Sequence, residues 1–474
     1  MTLPGVAAVI ADGRLRIAPT VSGPKLTILG TCYNSLSTFE PYSITDGRTG
    51  IGALQHTDGS PSELSMAVEE ALLAGAQNIE VVKISNVSGE LGNATFSASD
   101  RWDALYTAYI ELRAHDVDVI FPAGTYIDDP NLTGTDTGGF TRDNFGRQLA
   151  DFCHRATTTD GNTCVGVIGV RPIMKVARDE AWTGAPANLQ EEFFSLPTRA
   201  HLIEYVAHLT GGTGEMAHSA DELTTSGFLA GSDEESVGNV STSYLFWARN
   251  DAGTTATDQY GTSVDAGGFL SVVAGVCRFI GPNTVRGLSS KYLYTSRATV
   301  NSNGAAAYAG FITTLDPQIG TTNKSIAGLI PARELSRTQA NAILDDRYVT
   351  FFRRSVGYVV LKGVTGAYNA TDYTRSDFVM LTTRRITNAA LDIVVRSAEP
   401  FIGEPLNEYN KNALTAAIDS GLRAFQVAGA LRRYNFKLEA TPEAQVLGQA
   451  FVYLTIVPAF ELTNVTVYLQ LAKE

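Results

Sequence analysis

Cysteine, histidine, tryptophan and methionine are all scarce in this chain of 474 residues, at 4, 6, 3 and 5 copies. Four cysteines are too few for a disulfide-stapled scaffold, so stability has to come from a packed core. No apolar run approaches the ~20 residues needed to cross a bilayer. The opening Met1-Thr2-Leu3-Pro4-Gly5-Val6 also lacks the basic-then-apolar plan of a signal peptide. The expectation is a soluble, non-secreted protein with no membrane insertion. Basic residues are short as well: 36 Lys+Arg against 49 Asp+Glu leave a net charge of −13, the wrong sign for direct nucleic-acid binding. Apolar residues, by contrast, make up 44% of the chain, which excludes wholesale disorder. At ~100–200 residues per domain, the length predicts two to four domains.

Catalytic signatures are missing too. Gly211-Gly212-Thr213-Gly214-Glu215 is glycine-rich but lacks the Gly-Lys-Ser/Thr of a phosphate-binding loop. There is no Gly-x-Ser-x-Gly elbow and no His-Glu-x-x-His. His201 and His208, seven apart on a predicted helix, and His218 beyond it could ligate zinc by residue type. The plainer reading is packing or surface histidines. Asp116-Val117-Asp118 pairs two carboxylates at the start of an apolar strand, where acids ordinarily mark a solvated edge. Cys153 and Cys164 could bridge a short loop, and Cys32 or Cys277 could cross-link subunits, but free thiols are expected. No catalytic residue, cofactor or metal site is expected, and the protein reads as a non-enzyme.

Charge is unevenly spread. Residues 333–474 hold 16 basic and 14 acidic residues, so the acidic excess lies entirely in 1–332. Of the 36 basic residues 27 are Arg, the cation favoured at protein interfaces, although a GC-rich genome gives the same bias. The split fits one part of the molecule facing solvent and another facing partners.

Extended pieces are predicted at 6–10, 15–17 and 26–29, with a turn at Asp12-Gly13. Ser60-Pro61-Ser62-Glu63 reads as a capping box opening a helix that stops near Gly75. A strand at 79–84 follows, then a helix through Trp102, Leu105, Tyr109 and Leu112 and a strand at 117–121. A third cycle pairs a helix through Phe145, Leu149 and Phe152 with a strand at 165–170. Such alternation argues an α/β layer with a partly parallel sheet. From 211 to 325 Gly, Ser, Thr, Asn and Asp dominate, which reads as a loop-rich insertion with short strands. Beyond it come a short helix capped by Ser336, strands at 348–352 and 358–361, long helices at 377–397 and 408–431, and closing strands at 451–457 and 465–471.

The last third resembles the contractile phage tail sheath proteins, and also the sheaths of related contractile injection systems. The resemblance is carried by Leu335-Ser336-Arg337-Thr338-Gln339-Ala340-Asn341, Val359-Val360-Leu361-Lys362-Gly363-Val364-Thr365, Ser376-Asp377-Phe378 and Leu381-Thr382-Thr383-Arg384-Arg385-Ile386. Its most telling stretch is Ala398-Glu399-Pro400-Phe401-Ile402-Gly403-Glu404-Pro405, followed by Ala413-Leu414, Gly429-Ala430-Leu431 and Val457-Pro458-Ala459-Phe460-Glu461. It covers 330–474 well and 1–85 loosely, through Pro4-Gly5-Val6 and the segment 23–30, while 211–325 departs from the pattern.

The resemblance implies a mixed α/β, multidomain subunit. Its parts would be an N-terminal arm (1–25), an outer α/β domain (26–210), a variable β-rich insertion on the outer surface (211–325), a C-terminal core domain with a mixed sheet and helices (326–460) and a C-terminal arm (461–474). It implies six-fold rings stacked into a helical homo-oligomer around a tail tube protein, bounded by baseplate and tail terminator proteins. That sleeve would be assembled in the host cytoplasm, would form part of the virion tail, and would contract to drive the tube through the host envelope. Terminal strands are implied to pair with a neighbouring subunit. Val6, Val9 and Ile10 and the alternating Val465, Val467, Leu469 and Leu471 suit that role, because a lone terminal strand is unstable in water. The alternative is pairing within their own domain. Lys411, Arg423, Arg432, Arg433 and Lys437, a cationic stretch in an acidic protein, are assigned to face the tube, against a plain solvated helix face. Three rival functions stand beside the phage sheath: the sheath of a bacterial injection particle, an α/β hydrolase with an unrecognised site, and a capsid or S-layer-like lattice protein.

Overall fold

The computed structural model describes residues 23–44, 47–55, 57, 62–86, 96–127, 145–170, 174–176, 266–275, 277–279, 298–300, 302–331, 337–345, 347–355, 357–367, 377–405, 407–439, 441 and 449–463. The chain begins with β1 (Leu26–Thr31), β2 (Pro41–Ile44), α1 (Gly47–Ala53), α2 (Glu63–Leu73), β3 (Ile79–Ser85), α3 (Ala98–Leu112), β4 (Val119–Pro122), α4 (Phe145–Arg155), β5 (Val165–Gly169) and β6 (Met174–Val176). It continues with β7 (Leu270–Val273), β8 (Cys277–Phe279), β9 (Ala298–Val300), α5 (Ala305–Thr313), β10 (Leu329–Pro331), α6 (Arg337–Asp345), β11 (Tyr348–Val349), β12 (Phe351–Arg354) and β13 (Gly357–Val360). The C-terminal elements are α7 (Leu381–Ala398), α8 (Glu408–Val427), β14 (Leu431–Glu439) and β15 (Phe451–Pro458).

The strands β1, β4 and β5 are short, mainly apolar runs buried on both faces, as parallel strands covered by helices must be, and β3 is buried likewise although it carries Glu80 and Lys83. They form the heart of a seven-stranded sheet in the order β11-β7-β5-β4-β1-β3-β2, parallel except for the edge strand β2. Helices α3 and α4 cover one face through Trp102, Leu105, Tyr109, Phe145, Leu149 and Phe152. Helices α2 and α5 cover the other through Leu64, Val68, Ala71, Tyr308 and Ile312. The two approach closely enough that a methyl group on Gly310 would stand 2.8 Å from the Ala71 backbone.

Three sequence expectations shift here. The box that opens α2 is formed by Ser62 and Ser65, each accepting from the other's backbone N–H, two residues later than the Ser60–Glu63 box expected; Pro61 therefore precedes the cap. The stretch 211–325 is not wholly a separate β-rich insertion: it supplies β7 to the sheet and α5 to its helical layer. All nine residues of α5 are buried, so it carries none of the amphipathic periodicity that betrays a surface helix. Third, the helix expected over 408–431 ends at Val427. Gly429 sits at φ +83°, its N–H bonds to Gln426 O and Ala430 N–H bonds to Phe425 O, which closes the helix and turns the chain into β14.

The C-terminal elements form a second core. Ile386, Ala390, Leu414, Ile418, Leu422 and Leu431 are buried between α7, α8 and the β14–β15 pair, backed by Phe436, Leu438, Val452, Leu454 and Ile456. Among the described residues its sheet is the antiparallel pair of β14 and β15. The turn between the helices uses the stretch most telling for the resemblance: Pro400 lies in a single 3-10 turn that ends α7, and Gly403 takes φ +91° to reverse the chain. Asn407 then caps α8, its side-chain oxygen accepting from Asn410 N–H at 2.8 Å.

Helix α7 is fastened to the α/β layer by its polar residues. Buried Arg385 donates to the carbonyls of Ile312 (3.0 Å), Asp316 (3.3 Å), Ile319 (3.4 Å) and Leu315, at and beyond the C-terminus of α5. Arg384 is sandwiched between Phe269 and Phe378, 3.8 and 3.6 Å from their ring centroids, and donates to Gly268 O at 3.0 Å. Asn388 donates to Cys164 O at 3.2 Å.

Candidate assembly surface

The β14–β15 hairpin pairs from Leu431 with Pro458 to Glu439 with Phe451. Its inward face, through Tyr434, Phe436, Leu438, Val452, Leu454 and Ile456, is half-buried on α7 and α8. Its outward face exposes Arg433, Asn435, Lys437, Phe451, Tyr453 and Thr455. No third strand joins it among the described residues. A two-stranded sheet is marginal by itself and gains from additional strands. Large apolar side chains are also exposed at the two ends of α8, with Ile402 and Tyr409 at 80% before and at its start and Val427 at 83% at its end. The proposed exchange residues Val6, Val9, Ile10, Val465, Val467, Leu469 and Leu471 lie outside the described residues.

The five cations assigned to the tube fall on two elements. Lys411 and Arg423 are on α8, twelve residues and so roughly 120° apart around the helix. Lys411 is half-buried, 3.9 Å from Glu408, whereas Arg423 is exposed. Arg432, Arg433 and Lys437 are exposed on β14, with Arg433 and Lys437 on its outward face and Lys437 paired to Glu439. Sequence periodicity missed β14 itself, although the alternation Tyr434, Phe436, Leu438 after Gly429 carries the signal.

In doubly wound sheets ligands bind at the carboxyl ends of the strands where the order reverses. Here that crevice lies between β1 and β4, and the protein fills it with its own charges. Glu63, in the first turn of α2, receives two hydrogen bonds from Arg101 (2.7 and 3.0 Å) and accepts from the Thr31 N–H (3.2 Å) and hydroxyl (2.8 Å). Both charged side chains are largely shielded from solvent, at 10% and 12% exposed. Gly124, at φ +65°, lets the carboxylate lie where a β-carbon would be 2.2 Å away. The helix N-terminus that would greet a ligand's anion holds the chain's own carboxylate.

The other sequence candidates find structural places. Asp118 accepts from the Lys25 backbone N–H at 2.7 Å, and burial raises its pKa. Asp116 pairs with Arg396 of α7 at 3.6 Å on the surface. All four cysteines are free and buried, and burial pushes the Cys32, Cys153 and Cys277 thiols up, away from the reactive thiolate. His201, His208, His218 and the glycine-rich 211–215 lie outside the described residues. Among the described residues no His, Cys, Asp and Glu group is arranged to hold a metal ion, and no helix is long and apolar enough to cross a membrane.

No protein-family model matches the sequence, and no curated protein does. Solved structures do match, over the whole chain. One is a sheath complex of an extracellular contractile injection system, PVC, in its contracted state (TM-score 0.53, 12% identity, covering 99% of this chain and 98% of that one). A second belongs to the six-fold symmetrised baseplate of the anti-feeding prophage (TM-score 0.54, 11% identity, complete coverage of both chains). A third is the contracted helical sheath of that same particle (TM-score 0.52, 11% identity, 99% of each chain). The fold is that of the contractile-sheath proteins.

Proposed function

We propose that this chain is the structural, non-catalytic subunit of a contractile sheath, polymerising helically around a tail tube and shortening to drive the tube through a cell envelope. The observation that carries the reading is that the full length of the chain follows the fold of contractile-sheath proteins, beside a β14–β15 pair whose outer edges meet no third strand among the described residues. Residues 464–474 of one copy, with Val465, Val467, Leu469 and Leu471 on one face, would add to such an edge in another copy, as would the strand containing Val6, Val9 and Ile10. Main-chain hydrogen bonds supply the affinity and the alternating side chains the register. The baseplate likeness supports baseplate association as well as self-assembly.

Lys411, Arg423, Arg432, Arg433 and Lys437 are the proposed contacts to the tube. Exposed ion pairs contribute only ~0–1 kcal/mol each, so they would hold register and still release during contraction. Contraction would run on conformational energy stored in the extended lattice, with each subunit moving nearly as a rigid body. Assembly in a host cytoplasm and a tail terminator partner belong to the same proposal. A second reading, the sheath of a bacterial injection particle rather than of a phage, is favoured by the contractile injection system and anti-feeding prophage among the matched structures.

Electron microscopy of the purified full chain tests the proposal. Hollow tubes with a helical lattice are expected, alone or once the tube protein is added. A chain lacking 464–474 should fold and fail to assemble; tubes of normal length from it would sink strand exchange.

A further inference from the structure

Two of the four cysteines are neighbours in space. Cys153 lies in the last turn of α4 and Cys164 directly precedes β5, eleven residues on; both are fully buried in the core that α3 and α4 make with the sheet. Cys164 Sγ lies 3.9 Å from Cys153 O, and the two thiols share a hydrogen bond. The chain between them is pinned along its length. It widens into a single i to i+5 turn (Ala156–Asp160), a feature frequent at functional sites, and reverses at Gly161, φ +76°. Arg113 Nε donates to Asp160 at 2.6 Å, and Asn162 donates to Arg113 O and His115 O at 2.9 and 3.1 Å. The Thr157 hydroxyl accepts from Cys164 N–H at 3.3 Å. Tyr109 of α3, stacked on Phe152 with ring centroids 4.7 Å apart, interacts through its hydroxyl with both sulfurs. Among the described residues that buried hydroxyl has no hydrogen-bond partner. An orphaned buried hydroxyl calls for an explanation, and an anion formed on either sulfur would be its acceptor.

We propose that Cys153 and Cys164 are a buried dithiol that hydrogen peroxide closes to a disulfide, with the Tyr109 hydroxyl donating a hydrogen bond to the sulfur anion on the way. A thiolate sulfur attacks one peroxide oxygen, the O–O bond breaks, and a sulfenic acid and hydroxide result. The second sulfur then displaces the sulfenic oxygen: the S–S bond forms, the S–O bond breaks and water leaves. The two sulfurs give up two electrons, and the peroxide takes them and the two thiol protons to end as two waters. Burial holds the Cys153 thiol well above its usual pKa, so the anion is scarce and closure is slow. The new bond would tie the end of α4 to the start of β5 at the residue whose carbonyl accepts from Asn388 of α7, on the seam between the two cores.

Thiol counting and peptide mapping test this on the native full-length chain. The protein is exposed to hydrogen peroxide at neutral pH, freed of it, unfolded and alkylated. The thiol count should fall from four to two. Trypsin cuts at Arg155, between the two cysteines, so the disulfide should appear as two peptides joined through Cys153 and Cys164. Cys153→Ser and Cys164→Ser should each yield no such joined pair. Tyr109→Phe, which keeps the ring stacked on Phe152, should close about tenfold more slowly, as loss of a hydrogen bond to a charged group implies. Four thiols surviving, or thiols lost to higher oxides with no joined peptides, would overturn the dithiol. Closure of Tyr109→Phe at the wild-type rate would overturn the part given to Tyr109. Should a serine variant fail to fold, the joined peptides of the wild type decide alone.

Discussion

Arg101 and Glu63 form a two-pronged ion pair at the one place where this type of sheet ordinarily opens to a ligand. Breaking a buried pair from one side leaves the other charge uncompensated, at ~3–5 kcal/mol. Glu63→Ala should therefore unfold at markedly lower denaturant, whereas Glu63→Gln, which keeps an acceptor, should fall between. The variant also removes the carboxylate from between Arg101 and the N-terminus of α2. Sulfate or inorganic phosphate should then stabilise Glu63→Ala in a thermal-shift assay and leave the wild type unmoved. Equal stabilisation of both would mean that the crevice is not filled as described.

Gly421 of α8 is a close-contact glycine. A methyl group there would meet Ile393 Cγ2 of α7 at 2.6 Å. In an exposed helix Gly→Ala gains ~1 kcal/mol, but overpacking a helix contact costs ~1–3 kcal/mol, so the clash wins. Gly421→Ala should lower the melting temperature, and Ile393→Ala combined with it should restore part of the loss. A more stable Gly421→Ala would show that the helices separate freely.

Acid should stabilise the α/β layer. Burial pushes Glu70 up to about 8, helped by the neighbouring Glu69 and opposed by a hydrogen bond from Ser302, and burial alone pushes Glu69 up to about 7. Both folded values exceed the ordinary 4.5, so the folded state binds more protons than the unfolded one across that interval. Their stabilising contribution is complete below about 4.5 and is lost as the pH rises through about 7 and 8. Denaturant midpoints measured from pH 5 to 9 should fall for the wild type and fall less for Glu70→Gln. Parallel curves for the two proteins would refute the assignment.

The parallel sheet was legible because β1, β3, β4 and β5 are rich in apolar and β-branched residues and alternate with helices that have a clear inward stripe, such as Trp102, Leu105 and Tyr109. The long C-terminal helices were legible for the same reason. What escaped was structure whose signal is not periodic. Helix α5 is buried all round and lies in a stretch of Gly, Ser and Asn texture. Strand β14 directly follows α8, and only the left-handed Gly429 separates the two periods. Of the candidate assembly surface, the exposed basic residues of α8 and β14 could be read from the chain, since they depend on residue type, while residues 464–474 lie outside the described residues. The filled crevice and the hydrogen bond from Thr382 to Glu461 could not: Glu63 and Arg101 are 38 residues apart and Thr382 and Glu461 are 79 apart. Only the fold brings them together.

Arg385 should be the residue on which the union of the two cores depends most. Its guanidinium is buried, and burial pulls its pKa down to about 10, so it remains a cation at neutral pH. The acceptors that hold it in the structure are carbonyls of Ile312, Leu315, Asp316 and Ile319, where a helix C-terminus presents its negative end. Arg385→Met keeps the apolar stem but leaves those carbonyls without their donor, at ~1–3 kcal/mol for each one that water cannot reach. Arg385→Lys retains the charge but cannot reach several carbonyls with one ammonium, so it should rescue little. Because α7 belongs to the second core while α5 belongs to the first, the loss should also be spatial. In Arg385→Met, hydrogen exchange should quicken in α7 and the 314–321 loop well before it quickens in β1 or β3. Uniform acceleration across both cores would show that Arg385 serves global stability alone and that the two halves are joined elsewhere.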